Sequence, residues 1–218
     1  MPRLKVCGIT DAAFAVEAAR RGIDYLGLIF AARSPRRVTV ERAYEIVAAV
    51  RGVQTETTTT QMPQFVGVFV EHGVEDIANI AKAVHLDVIQ LHGNYGAEVV
   101  AALKEKGFEV WRLCGNLDDT VAQERDPSDA VLLDGCKGTQ CGGTGVRADW
   151  SLVAPLKRAG MRVVLAGGIS AANIADAVAT GADILDINSS IETSPGVKSL
   201  VLLDGLLRVT VDGGGGKV

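Results

Sequence analysis

Eight short runs of Val, Ile and Leu recur along the chain, roughly 27 residues apart, each followed by a stretch with helical periodicity. The runs lie at 4–7, 25–30, 65–70, 88–91, 110–113, 131–134, 163–166 and 184–187. They lack the apolar–polar alternation of a strand with one wet face, so they read as parallel strands covered on both sides. Parallel strands need crossovers, and helical patterns fill the gaps. Thr10 and Asp11 can cap the first, which stops near Arg21 with Gly22 beyond it. Others follow at 40–50, 75–84, 97–106, 150–157, 171–179 and 197–209, with a shorter, weaker one at 118–124. Eight strand–helix units are what a closed (β/α)8 barrel requires. The expected fold class is therefore α/β, a single TIM barrel over residues 1–210 with a flexible tail at 211–218.

The competing architecture, an open doubly wound sheet, carries its glycine fingerprint directly after the first strand. Here that strand runs into Cys7-Gly8-Ile9-Thr10, and the G-x-G-x-x-A string at 143–148 lies nine residues beyond its strand. The Thr-rich stretch at 54–64 and the glycine run at 213–216 read as a solvated loop and a frayed tail. Neither marks a domain boundary.

With 26 acidic against 22 basic residues, the net charge of −4 argues against broad binding to nucleic acid or a membrane surface. No apolar run approaches the roughly 18 residues of a membrane span, and no signal-peptide pattern precedes the first strand. Cys7, Cys114, Cys136 and Cys141 contain no C-x-x-C pair, which speaks against structural zinc and for free thiols in the cytoplasm. His72, His85 and His92 form no ligand-like cluster, so no metal site is expected.

In such a barrel the functional groups gather where strands end and the following loops begin. That rule selects Cys7, the loop 31–37 with three arginines, His92, Asp134, the glycine loop 142–145, the Gly167-Gly168 pair, and 186–192 with Asp186, Asn188 and Ser189. A thiol at a strand end can serve as base or nucleophile, and a helix N-terminus at Thr10–Asp11 offers positive potential to lower its pKa. Read as bare residue types, Cys7 equally fits a small buried apolar residue and Asp134 a loop-bonding carboxyl. Asp134 ends an apolar strand, where burial favours the neutral acid. Arg presents a planar fork to carboxylate or phosphate. Gly142 and Gly143 can approach a ligand closely, and the loops after the last two strands are where these barrels often hold phosphate. His92 fits either a pocket wall or a structural hydrogen bond.

The strings KVCGIT (5–10), SPRRV (34–38), FVGVFV (65–70), IQLHG (89–93), LLDG (132–135), GGTGVRADW (142–150), AGGIS (166–170) and DINSSIE (186–192) closely resemble the phosphoribosylanthranilate isomerase family, in order and over nearly the whole chain. The resemblance implies an Amadori rearrangement that needs no cofactor, in tryptophan biosynthesis. Its substrate would be a small phosphosugar, N-(5-phosphoribosyl)anthranilate, handled by a monomer or homodimer. It also implies Cys7 as general base, Asp134 as general acid and Arg36 as the group that binds the anthranilate carboxylate. Another phosphosugar barrel, such as the histidine-pathway isomerase, would carry Asp rather than Cys at the first strand; a non-catalytic phosphate binder would not need the pair. Two positions depart from the family pattern: Ser190 stands where Gly is usual, and Ala148 where an aromatic residue is common. If position 190 required positive φ, serine would cost about 1 kcal/mol or more. Cys136 and Cys141 match no family role.

Overall fold

The structure is a computed structural model that describes residues 1–53, 62–114, 127–137, 140–141 and 148–212. Eight parallel strands close on themselves: β1 (Arg3–Val6), β2 (Tyr25–Ile29), β3 (Gln64–Phe69), β4 (Val88–Leu91), β5 (Glu109–Leu113), β6 (Ala130–Leu133), β7 (Val163–Leu165) and β8 (Ile184–Ile187). The circle shuts where Arg3 to Val6 pair with Ile184 to Ile187. Every strand expected from the sequence is present, displaced by no more than one residue at either end.

The helices need small corrections. Asp11 alone caps the first, Ala12–Arg20, by accepting from the Phe14 amide, while Thr10 donates its hydroxyl to the Gly196 carbonyl. The segment expected from 150 opens as a 3-10 turn, Trp150–Leu152, before Val153–Arg158, and that expected from 171 begins at Ile174. The last helix, Leu200–Asp212, starts three residues late. Val197–Lys198 instead pairs antiparallel with Glu192–Ser194, and Ser199 takes the cap position by accepting from the Leu202 amide. The helix expected at 118–124 lies outside the described residues. No helix among the described residues is long and apolar enough to cross a membrane.

Successive strand residues point to opposite faces, so each strand feeds two cores. Outward residues such as Leu26, Phe65, Ile89, Val131, Leu165 and Leu185 pack against the helices, among them Ile46, Ile77, Leu103, Leu156 and Leu203. Each such side chain contributes about 1.5–3 kcal/mol by leaving water. Inward residues Tyr25, Val66, Val88, Trp111, Leu132, Val164 and Ile184 fill the barrel itself.

The amino end of the barrel is closed by a polar plug. The Tyr25 hydroxyl accepts from Arg3 (2.8 Å) and Arg162 (2.6 Å). Glu109 accepts from Arg162 (2.8 Å) and the Trp111 indole (2.7 Å), and Tyr25 and Trp111 meet edge to face.

Candidate active site

The two-residue period that builds the interior also delivers its polar groups. On β1 the inward positions are Lys5 and then Cys7; on β4, Gln90 and then His92. Asp134 follows Leu132 on β6, and Asp186 follows Ile184 on β8. Six functional side chains from four strands therefore converge toward the carboxyl end of one narrow core.

At the centre lies a buried ion pair. The Lys5 ammonium, with 0% exposure, donates to Asp186 Oδ2 at 2.6 Å and acts electrostatically on the Cys7 thiol two residues on. Burial drags the Lys5 ammonium down, but Asp186 and Cys7 outweigh it and hold it above the ordinary lysine value. Burial pushes the Cys7 thiol up; Lys5 and, more weakly, Lys198 pull it back, while Asp186 adds to the rise. The positive potential expected from the helix after Cys7 thus has a closer counterpart inside the barrel. Space for the sulfur comes from Gly27 on β2, where an added Cβ would lie 2.9 Å from Cys7 Sγ.

Across the mouth, burial likewise raises the Asp134 carboxyl, with His92 opposing. His92 Nε2 lies 3.6 Å from Asp134 Oδ2, and its Nδ1 faces the Gln90 amide at 3.3 Å. Asp134 Oδ1 accepts from the Gly135 amide at 2.6 Å. Gly167, at φ +79°, packs so close that a Cβ there would stand 2.9 Å from Asp134 Oδ1 and 2.7 Å from the Gly135 nitrogen. The Gly167-Gly168 pair therefore also shapes the acid's surroundings.

Of the three arginines after β2, Arg33 and Arg37 are exposed and Arg36 turns inward. Its Nε and Nη2 grip Glu192 at 2.9 and 2.7 Å. Glu192 in turn accepts from Lys198 at 2.8 Å, and Lys198 ties down the backbone and side-chain oxygens of Asn188. This second network orients the Arg36 fork. Arg36 and Lys198 hold the Glu192 carboxyl below its usual range despite its burial. Ser189 opens a 3-10 turn, Ser189–Ile191. Ser190 has no positive φ, so the anticipated strain is absent, and its buried hydroxyl has no hydrogen-bond partner among the described residues. Asp186 Oδ1 and Gln90 Oε1 are also buried and unbonded among the described residues. Gly142 and Gly143 lie outside the described residues.

Sequence reading missed Lys5, Gln90 and Lys198, and it selected the segment ending at Glu192 without giving that residue a role. The signal for Lys5 and Gln90 was a polar residue within a strand buried on both faces, at the inward parity. Lys198, and the role of Glu192, gave no such signal, because their contacts depend on the hairpin that displaced the start of the last helix.

A wide-open hollow of about 730 Å³ lies at the other end, lined in part by Arg3, Arg162 and Asp183. Its charged groups are engaged: Arg3 and Arg162 with Tyr25, and Asp183 with Lys157 and the Val163 amide. It offers no acid–base pair.

Residues 4–208 match the family model described as N-(5'-phosphoribosyl)anthranilate (PRA) isomerase. A relative from Rubrobacter xylanophilus, named N-(5'-phosphoribosyl)anthranilate isomerase, is 38% identical over 206 residues, covering 91% of this chain and 94% of its own. The crystal structure of phosphoribosyl anthranilate isomerase from Thermus thermophilus superposes with a TM-score of 0.82 at 29% identity, covering 96% of this chain and 98% of its own. A phosphoribosyl anthranilate isomerase in complex with reduced 1-(o-carboxyphenylamino)-1-deoxyribulose 5-phosphate gives a TM-score of 0.78 at 27% identity, covering 97% of this chain and 100% of its own. The inward thiol of β1, the carboxyl after β6 and these matches over the length of the barrel lead to one conclusion: the chain belongs to the N-(5'-phosphoribosyl)anthranilate isomerase family.

Proposed function

We propose that the carboxyl mouth of this barrel converts N-(5-phosphoribosyl)anthranilate to 1-(2-carboxyphenylamino)-1-deoxyribulose 5-phosphate, with Asp134 as acid and Cys7 as base. One observation carries the assignment of roles. A thiol from β1 and a carboxyl from β6 reach the same end of the interior, and both respond to the same Lys5–Asp186 pair.

Burial keeps Asp134 protonated to a higher pH than an exposed carboxyl, as a general acid needs. It gives its proton to the furanose ring oxygen as the C1–O bond breaks, leaving a ring-opened iminium. Cys7 as thiolate takes the proton from C2, and the electron pair moves to neutralise the iminium as an enolamine. Tautomerisation then places a proton on C1 and leaves the C2 ketone. Protons alone change place, so the reaction calls for no redox cofactor or metal.

The thiol is the weaker acid of the two, so the reactive form, thiolate with neutral carboxyl, is a minor species at every pH. The rate is proportional to its population. It is flat between the two apparent pKa values and falls on either side.

Arg36, fixed by Glu192, offers its remaining N–H groups to the anthranilate carboxylate. Gly167 and Gly168, with Asn188 and Ser189, suit the phosphate end, and the unbonded Ser190 hydroxyl adds a donor beside them. Gly142 and Gly143 keep the close approach to the ligand expected of them from the sequence. Asp186 Oδ1 is placed to accept from a sugar hydroxyl. With both anionic ends held, orientation supplies what acid–base catalysis, at about 10²–10⁴-fold per group, does not. The Cys7 thiol, which forms no disulfide, suits a cytoplasmic enzyme.

The test is the loss of N-(5-phosphoribosyl)anthranilate fluorescence on adding purified protein, run beside the aminoaldose of the histidine-pathway reaction. Turnover of the first alone is expected. Turnover of the second alone, or binding without decay, contradicts the proposal.

A further inference from the structure

The proposed reaction assigns an acid and a base but gives no role to the fully buried lysine beneath them. Lys5 is the most enclosed charged residue described, two positions before Cys7 on the same inward face of β1. As a stability device it is a poor choice. A buried ion pair rarely outperforms two well-packed apolar side chains, and neighbouring interior positions hold Val and Ile. Asp186 spends one oxygen on Lys5 and leaves the other unbonded, which a purely structural pair would avoid.

The surrounding charges explain the lysine. Facing Cys7 are Lys5 on its own strand, Asp186 on β8, Arg36 after β2, and Lys198 with its partner Glu192 on the hairpin after β8. Asp134 after β6, with His92 at the end of β4, stands beyond the Lys5–Asp186 pair. With Asp134 neutral, as the reaction requires, three cations face two anions. A thiolate at Cys7 completes the balance, and Lys5 is the cation that acts on it most strongly.

We propose that Lys5 is a positioning residue of the reaction: pinned by Asp186 on the barrel axis, its ammonium acts electrostatically on the Cys7 sulfur, aims it at C2 of the sugar and stabilises it as the thiolate. Asp186 both anchors the ammonium and limits its effect, because its negative charge opposes the thiolate. This rests on Cys7 acting as the base, as proposed above.

Two variants test it, each checked for a native circular-dichroism spectrum. The first readout needs no substrate: the pH dependence of Cys7 alkylation by iodoacetamide, followed on the Cys7 peptide by mass spectrometry. In Lys5→Met the midpoint moves up by a unit or more. In Asp186→Asn it moves down, since the lysine's attraction is no longer opposed. The second readout is kcat/KM against pH. Because the reactive form is the minor one, Lys5→Met lowers the plateau about tenfold per unit by which the thiol rises more than the Asp134 carboxyl, and the deficit disappears above the thiol pKa. A deficit that persists at high pH, or unmoved alkylation midpoints, overturns the proposal. If Lys5→Met does not fold, the downward shift in Asp186→Asn still decides it. Wild-type protein that alkylates as expected but does not turn over substrate refutes the assigned reaction instead, and leaves the Lys5–Cys7 linkage standing.

Discussion

The two ends of this barrel use the same kinds of residue for opposite purposes. At the amino end Arg3, Tyr25, Glu109, Trp111 and Arg162 bond to one another through a single shared cluster. At the carboxyl end Gln90 Oε1, Asp186 Oδ1 and Ser190 Oγ are buried without partners among the described residues, and the Cys7 and Asp134 groups are both held away from their charged forms. Burying a polar atom without a bond costs about 1–3 kcal/mol. The first end therefore stabilises the fold and the second draws on that stability. The lesson is that a ligand belongs where polar atoms are hidden from water yet left unmatched by the protein.

Substitutions at the two ends should accordingly separate activity from stability. The largest effects fall on Cys7→Ala and Asp134→Asn. Each lowers kcat by about 10²–10⁴-fold in the fluorescence assay, with a melting temperature near that of the parent. Parental turnover in both variants would remove the carboxyl end from the chemistry. Arg36→Met comes next. It discards charge-assisted bonds of about 1.5–3 kcal/mol to the anthranilate carboxylate, so KM rises about 10–150-fold and kcat changes less. A loss in kcat alone would move Arg36 from binding to catalysis.

Some of this contrast was legible in the sequence. The eight strands were, because parallel strands buried on both faces must be uniformly apolar, and the rule that functional groups gather at strand ends already selected Cys7 and Asp134. The amino-end plug was not, since Arg3, Tyr25 and Arg162 come from three separate strand starts and their meeting depends on barrel registration. Nor was the hairpin at residues 192–198, whose pairing overrides a local sequence that suits a helix start at 197. Lys5 shows the limit well: its identity and parity were visible, but its bond to Asp186, 181 residues away, exists only once β8 closes onto β1.

At the amino end Tyr25→Phe is the corresponding probe. It removes the acceptor for two arginines, and a cost of about 1–3 kcal/mol lowers the melting temperature by about 2–12 °C while kcat stays within twofold. A drop in kcat without a drop in stability would break the comparison. The smallest effect concerns pH and stability. The Asp134 carboxyl is raised in the folded state, so the folded chain binds the proton more tightly than the unfolded one. Stability therefore falls as pH rises from the ordinary carboxyl pKa through the raised one. Asp134→Asn, which cannot ionise, flattens this slope and is the more stable protein above that window, by denaturant titration at paired pH values. An unchanged slope would mean that burial of the acid carries no cost.

The central claim is spatial and calls for a crystal structure of this chain with the reduced product analogue bound. The account predicts the sugar at the carboxyl mouth, with C2 about 3.5 Å from Cys7 Sγ, the oxygen derived from the ring facing Asp134, and the anthranilate carboxylate on Arg36. An analogue seated there with C2 turned away from the sulfur, or bound instead in the hollow beside Arg3 and Arg162, would contradict it.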